Sequence, residues 1–334
     1  MTELLLEWVA SAAVLILVVL LLRAALGKHI GAGMRYGLWA VVLVRLLMPV
    51  SFLAVTVPEL PTWTPPEGMR EERIYLLPVD STPAEESDVR FAEDGRVKDP
   101  NSFGYARLED EGRTVTRYAE KISPLELLGW IWAAGAVVMA AILIAANARF
   151  ALRLRRVRRP LKEAGAPVPV YVAPALPSPC LSGLFRPAVY VTEEVAADPV
   201  MLRHVLAHEL THYGHQDHLW SVLRGAALAV HWWNPLVWLA AACSRRDGEL
   251  ACDEGALKRL GDGERAAYGE TLLALVTAKP KPADLLSFAT TMTGEKRSLR
   301  ERIRRIACQP KQLVSAAAVV AFLLTLTVLV TFGQ

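Results

Sequence analysis

The chain has 334 residues, 53% hydrophobic and 21% charged, with a formal net charge of +3. Soluble domains average about 45–50% apolar and about 25% charged residues. The composition excludes intrinsic disorder, and the small net charge gives no footprint for a direct nucleic-acid partner.

The apolar excess is gathered in four runs, about 4–22, 37–57, 127–146 and 313–332, each nearly free of charge. A bilayer-spanning helix needs roughly 20 such residues. The runs predict four transmembrane helices and exclude a soluble cytoplasmic enzyme. Glu3 and Glu7 stand where a signal peptide would carry positive charge, and no small-residue cleavage site follows, so the first run reads as a retained helix.

Arg23, Lys28 and Arg35 lie between the first two runs, and Arg149, Arg153, Arg155, Arg156, Arg158, Arg159 and Lys162 follow the third. Residues 58–123 are acid-rich and proline-rich. Cytoplasmic flanks collect Lys and Arg, so both termini are expected outside. The expected organisation is helices 1 and 2 within 1–57, an extracellular loop at 58–123, helix 3 at 124–147, a cytoplasmic domain at 148–311, and helix 4 with a short outer tail at 312–334. No extracellular domain is expected after the fourth helix. Cys180, Cys243, Cys252 and Cys308 then fall on the reducing side and are expected as free thiols. Arg45, four residues before Pro49, is expected either to pair with a carboxylate or a freed backbone carbonyl, or to snorkel.

Within the inner domain, residues 187–191 read as a short strand, and the pattern is helical from Pro199 onward. The apolar stretch 219–243, broken by Asn234-Pro235 and carrying Trp232, Trp233 and Trp238, suits a membrane-apposed hairpin. The alternative is the buried core of the inner domain.

Six of the seven histidines lie between His204 and His231, and among them stands His208-Glu209-Leu210-Thr211-His212. On a helix, positions i and i+4 share one face. His208 and His212 can therefore hold one Zn²⁺, with Glu209 beside it as general base for a metal-bound water. A catalytic zinc site needs a third protein ligand. Glu249 is the leading candidate, with Asp253 on the same helical face to accept a hydrogen bond from a ligand histidine; His215 and Cys252 compete. His215, His218, His231 and Tyr268 are open as groups that polarise a carbonyl. His204 and Cys180 read as packing residues.

Several segments together carry a resemblance to a known family. These are Arg35-Tyr36-x-Leu38-Trp39 with Arg45-Leu46-x-x-Pro49, Ser178-Pro179 through Gly183-Leu184-Phe185-x-Pro187, and the His208–His212 motif followed by Asp217-His218. To them are added His231-Trp232-Trp233-Asn234-Pro235-Leu236-Val237-Trp238, Glu249-Leu250-Ala251-Cys252-Asp253, and Tyr268 with Leu272-Leu273. Over nearly the whole chain this resembles the BlaR/MecR-type integral-membrane zinc metallopeptidases, the antirepressor peptidases. The resemblance implies a mainly α membrane protein with four transmembrane helices and a cytoplasmic gluzincin-type α+β domain holding a small sheet. It implies one Zn²⁺ on His208, His212 and Glu249. Well-known members continue into a penicillin-binding sensor domain; none is expected here, so β-lactam sensing is not carried over.

The resemblance also implies self-cleavage ahead of the last helix, for which Ser287-Phe288 within 280–310 is the expected site. An extended segment there could add to an edge strand such as 187–191; the plainer expectation is a linker followed by an amphipathic basic helix, 298–306, lying at the membrane. The expected partners are the bilayer and a cytoplasmic repressor of the BlaI/MecI type, with a homodimer left open. The implied function is a regulatory zinc endopeptidase in the cell membrane. The alternatives are a quality-control protease with the same chemistry and a non-proteolytic transducer.

Overall fold

The computed structural model describes residues 2–48, 106–110, 113–117, 124–161, 165–174, 176–278, 290–291, 296–308 and 314–332. The chain divides into two compact units, Pro58–Gly135 and the combination of Glu3–Val57 with Ala136–Gln334. In the first, β1 (Ala106–Asp110) and β2 (Arg113–Arg117) pair antiparallel with Leu108 opposite Val115. Helix α3, Pro124–Val157, begins there.

The larger unit contains α1 (Thr2–Leu26), α2 (Ala32–Leu47), α4 (Glu193–Ala197), α5 (Pro199–Gly214), α6 (Asp217–Val230), α7 (Pro235–Leu260), α8 (Arg265–Ala278), α9 (Lys296–Ala307) and α10 (Val314–Phe332). It also holds a five-stranded sheet of order β3-β4-β6-β5-β7, with β3 Arg159–Pro160, β4 Val170–Val172, β5 Cys180–Ser182, β6 Ala188–Val191 and β7 Thr290–Thr291. Strands β4 and β6 run parallel; the other pairs are antiparallel. The sequence places an open edge at 187–191. The structure corrects this, because β6 is paired on both sides and all four of its residues are buried. Strand β5 is likewise flanked by β6 and β7, and the edges of the sheet are β3 and β7.

Local signals set the helix starts. Asp198 Oδ1 accepts from the Val200 and Met201 N–H groups, with Pro199 at the first helical position of α5. Asn234 caps α7 by accepting from Leu236 N, ahead of Pro235. Among the described residues, Gln216 is the one non-glycine residue with positive φ, 58°. Its left-handed turn ends α5 and starts α6 at Asp217. Helices α5 and α7 cross closely at Gly255, where a Cβ would collide with the Thr211 methyl.

Two cores meet on α7. Val237, Ala240, Ala241 and Cys243 pack with α1, α2, α6 and α10, whereas Ala256 and Leu257 pack with the sheet, α5, α8 and α9. The hairpin α6–α7 thus buries its apolar face on the N-terminal helices, with Trp233 left 48% exposed.

Helices α1 and α3 contain stretches long and apolar enough to cross a membrane, Trp8–Leu26 and Leu127–Val157, and Val314–Leu329 forms a shorter apolar helix. Trp130, Val137, Ile144 and Phe322 are exposed, as lipid contact requires. The second expected span differs from 37–57: the helix begins at Ala32, ends at Leu47 with Met48 extended, and the rest of the run lies outside the described residues. Arg45 donates to Ser11 Oγ on α1 and to the Met48 carbonyl at the helix end, a combination of backbone and hydroxyl partners. The basic residues Arg153, Arg155 and Arg156 continue α3 as one helix.

Asp247 on α7 is fully buried and gathers Arg23 of α1 (2.8 Å), Arg35 of α2 (2.6 Å) and Trp39 Nε1 (2.8 Å). Removing one partner of a buried ion pair leaves an uncompensated charge, which costs roughly 3–5 kcal/mol. Asp247→Ala should therefore lower unfolding free energy in detergent by about 3 kcal/mol or more, whereas Lys258→Ala, which removes the exposed partner of Glu254, should cost under about 1 kcal/mol. Equal losses in chemical denaturation would refute this ranking.

Candidate metal centre

Helix α5 presents His208, Glu209 and His212, all buried, and α7 crosses it to bring Glu249 and Asp253 alongside. The two Nε2 atoms are 3.1 Å apart. Glu249 Oε2 is 3.7 Å from His208 Nε2, and its Oε1 is 3.7 Å from His212 Nε2. Ligands about 2.0–2.1 Å from a tetrahedral zinc ion stand roughly 3.3 Å apart. The three donors form a triangle of that size.

The outward Nδ1 atoms explain why the inner nitrogens can act as ligands. His212 Nδ1 donates to Asp217 Oδ2 at 2.6 Å. His208 Nδ1 lies 2.8 Å from the Tyr268 hydroxyl, which itself donates to Asp253 Oδ1 at 2.7 Å; Asp253 Oδ1 is 3.3 Å from the same nitrogen. With the Tyr268 proton given to Asp253, its oxygen accepts from His208. This network assigns the Nδ1–H tautomer to both rings. Both Nε2 lone pairs then face one space, an arrangement a cation satisfies.

Glu209 sits beside that space with both carboxylate oxygens buried and no regular hydrogen bond to either. Burial raises its pKa, with His208, His212 and the Leu181 backbone opposing the rise. A base held above the ordinary carboxylate range accepts and returns protons near neutral pH more readily.

Arg302 of α9 closes the rear of the site. Its Nε and Nη2 each lie 2.7 Å from an Asp253 oxygen, and Nη1 lies 3.0 Å from Glu249 Oε2. Burial would raise both carboxyls; Arg302 together with the neighbouring histidines outweighs it and holds both below their ordinary values. Burial would likewise lower His208, but Asp253 and Glu249 reverse this and push it up to about 9. The pocket favours positive charge. Burial and Asp253 push Tyr268 up, which keeps its hydroxyl a donor.

The other sequence candidates fall elsewhere. Cys252 Sγ lies 3.1 Å from His212 Nδ1 and 3.6 Å from His215 Nδ1. Cys252 and His215 thus stand on the Asp217 side of His212, away from Nε2, and Cys252 forms a second donor group with His212 and Asp217. His204 bonds Thr271 and Glu264. His231 Nε2 is 3.0 Å from the Leu46 carbonyl oxygen, and His218 stacks on Tyr213. Cys180 is buried in β5, its thiol pushed up by burial and by Glu209. Ser287 and Phe288 lie outside the described residues.

Sequence reasoning missed Arg302, having set 298–306 at the membrane as a basic amphipathic helix. In the structure α9 packs on α7 and α8 with Arg302 only 1% exposed. A signal was present: Arg302 stands on the apolar stripe of Leu299, Ile303 and Ile306. An arginine on a buried stripe implies a buried carboxylate partner.

Two imidazoles, a carboxylate and a buried free carboxylate on one helical scaffold define a site of metallopeptidase type. The family model described as BlaR1 peptidase M56 matches residues 3–306, and the chain belongs to that family. It is 29% identical over 134 residues to the regulatory protein BlaR1 of Bacillus licheniformis, covering 39% of this chain and 22% of that protein. It is 26% identical over 106 residues to the methicillin resistance mecR1 protein of Staphylococcus aureus, covering 32% of this chain and 18% of that protein. The matched segments thus span about a fifth of the length of these relatives.

Groups that hold ligand residues typically contribute 10–100-fold to metal affinity. Arg302→Met should weaken divalent-metal binding by about that factor in chelator competition, and Arg302→Lys should weaken it less. Unchanged affinity in a folded Arg302→Met protein would remove Arg302 from this role.

Proposed function

We propose that this protein is a zinc endopeptidase of regulatory signalling, embedded in a bacterial-type cell membrane and of the gluzincin type. His208, His212 and Glu249 hold the zinc, and Glu209 is the catalytic residue. The observation that carries the reading is the Glu209 carboxylate, buried without a regular hydrogen bond beside the three-donor triangle. A closed structural site has no use for such a base.

Zinc bound at these ligands would supply Lewis-acid polarisation and a water of lowered pKa. Glu209 takes a proton at its carboxylate and returns it to the leaving amine nitrogen. Asp217, Tyr268 and Asp253 keep both ligand imidazoles in the Nδ1–H tautomer. Arg302 neutralises Asp253 and Glu249 behind them.

Strand β5, on the side that carries β7, supplies the substrate track. It borders Glu209 through Leu181, and β7 lies on it antiparallel, with Cys180 opposite Thr291 and Leu181 opposite Thr290. Phe288 stands two residues before Thr290 in the sequence. This supports Ser287-Phe288 as the self-cleavage site, with the chain's own segment using the track that an outside substrate would use. That substrate is proposed to be a cytoplasmic transcriptional repressor of the BlaI/MecI type. The topology proposed is four spans, α1, α2 with the residues that follow it, α3 and α10. Both termini lie outside and the peptidase domain faces the cytoplasm.

Wild type and Glu209→Gln, expressed in matched cells, should differ in newly formed protein N-termini. The variant should lose about 10²–10⁴-fold in cleavage rate while keeping one zinc per chain. A wild-type fragment beginning at Phe288 and a cleaved repressor are expected. Cuts spread over many membrane proteins would favour quality control, and identical N-termini from both proteins would refute proteolysis.

A further inference from the structure

A cavity of about 180 Å³ lies between α2, α6 and α7, lined by Tyr36, Trp39, Leu43, His215, Trp220, Arg224 and Ser244 among others. Among the described residues, no carboxylate lines it and Arg224 is the one charged residue in its wall. Arg224 Nε and Ser244 Oγ are buried and make no hydrogen bond among the described residues. Ser244 is only 3% exposed. Every other interhelical arginine described above, Arg23, Arg35, Arg45 and Arg302, has its partners. Buried polar groups are normally satisfied, so an unpaired guanidinium nitrogen and an unpaired hydroxyl facing one cavity mark a missing ligand.

The chemistry of that ligand follows from the wall. A guanidinium with a hydroxyl beside it recognises an oxyanion, and phosphate matches both. Trp39, Leu43 and Trp220 offer apolar surface to a body attached to it. One water occupies about 30 Å³ of liquid, so the cavity admits a phosphate group with part of its substituent. We propose that this cavity binds the phosphate of an anionic amphiphile, with Arg224 and Ser244 as its polar partners. The site borders the metal centre: Tyr36, in its wall, donates to Asp217 Oδ1 at 2.6 Å, and Asp217 holds His212. It rests on the proposed function only for the placing of this level of the bundle at the membrane.

The test uses the full chain, delipidated and reconstituted in phosphatidylcholine nanodiscs with or without phosphatidylglycerol, with native mass spectrometry to count retained lipid. Inorganic phosphate is titrated calorimetrically in the phosphatidylcholine discs to separate a soluble source from a lipid one. Wild type should retain about one phosphatidylglycerol per chain or bind one phosphate. Arg224→Gln should weaken whichever is bound by about tenfold or more, the usual worth of a charge-assisted bond; Arg224→Lys should recover part of it. If wild type shows neither binding, or if Arg224→Gln binds as tightly as wild type, the proposal is overturned. Should Arg224→Gln not fold, wild type and Arg224→Lys still decide. Zinc content is measured in parallel; a wild type without zinc would refute the peptidase reading and leave the phosphate result to stand by itself.

Discussion

Three carboxylates on one helix govern this structure. Asp247, Glu249 and Asp253 of α7 are all buried, and a buried charge is tolerated only when paired. Compensation is brought from elsewhere in the chain: Arg23 and Arg35 from the N-terminal helices to Asp247, and Arg302 from α9 to Asp253 and Glu249. With the pair of imidazoles, the Glu249 carboxylate forms a buried group that could hold a cation.

Because α7 is continuous from Pro235 to Leu260, it joins two environments. Its first half is packed among the apolar helices, and its second half forms the rear wall of the metal centre. Glu301 and Arg302, adjacent on α9, divide between them: Glu301 pairs with Arg35 and Arg302 with Asp253. Arg305 of the same helix reaches the Gly27 carbonyl after α1. A displacement of α9 would therefore disturb the N-terminal helices and the metal ligands together.

That arrangement bears on self-cleavage. Helix α9 follows residues 287–288 in the chain, so a cut there would leave Arg302 attached to the rest of the site by packing and ion pairs alone. The active site would become a two-piece assembly, with its cation-compensating residue on the fragment that carries α10.

Spacing alone was enough to place His208 and His212 on one side of α5, since residues four apart on a helix share a face whatever surrounds them. The helical pattern from Pro199 onward and the break at Asn234-Pro235 were legible too, and they coincide with the capped starts of α5 and α7, because capping is a local hydrogen-bonding matter. The sequence pattern also carried the apolar character of the membrane helices. It did not decide which strand is the edge, because pairing on both sides of β6 depends on where β4 and β5 arrive. It did not show that Asp217 serves His212, since this follows from the left-handed turn at Gln216. Nor did it show Arg302 behind Glu249 and Asp253, as that contact joins residues 49 or more positions apart. Sequence periodicity determined the faces of the helices; tertiary packing decided which buried charges met, because ion pairing between distant segments exists only once their backbones have been brought together.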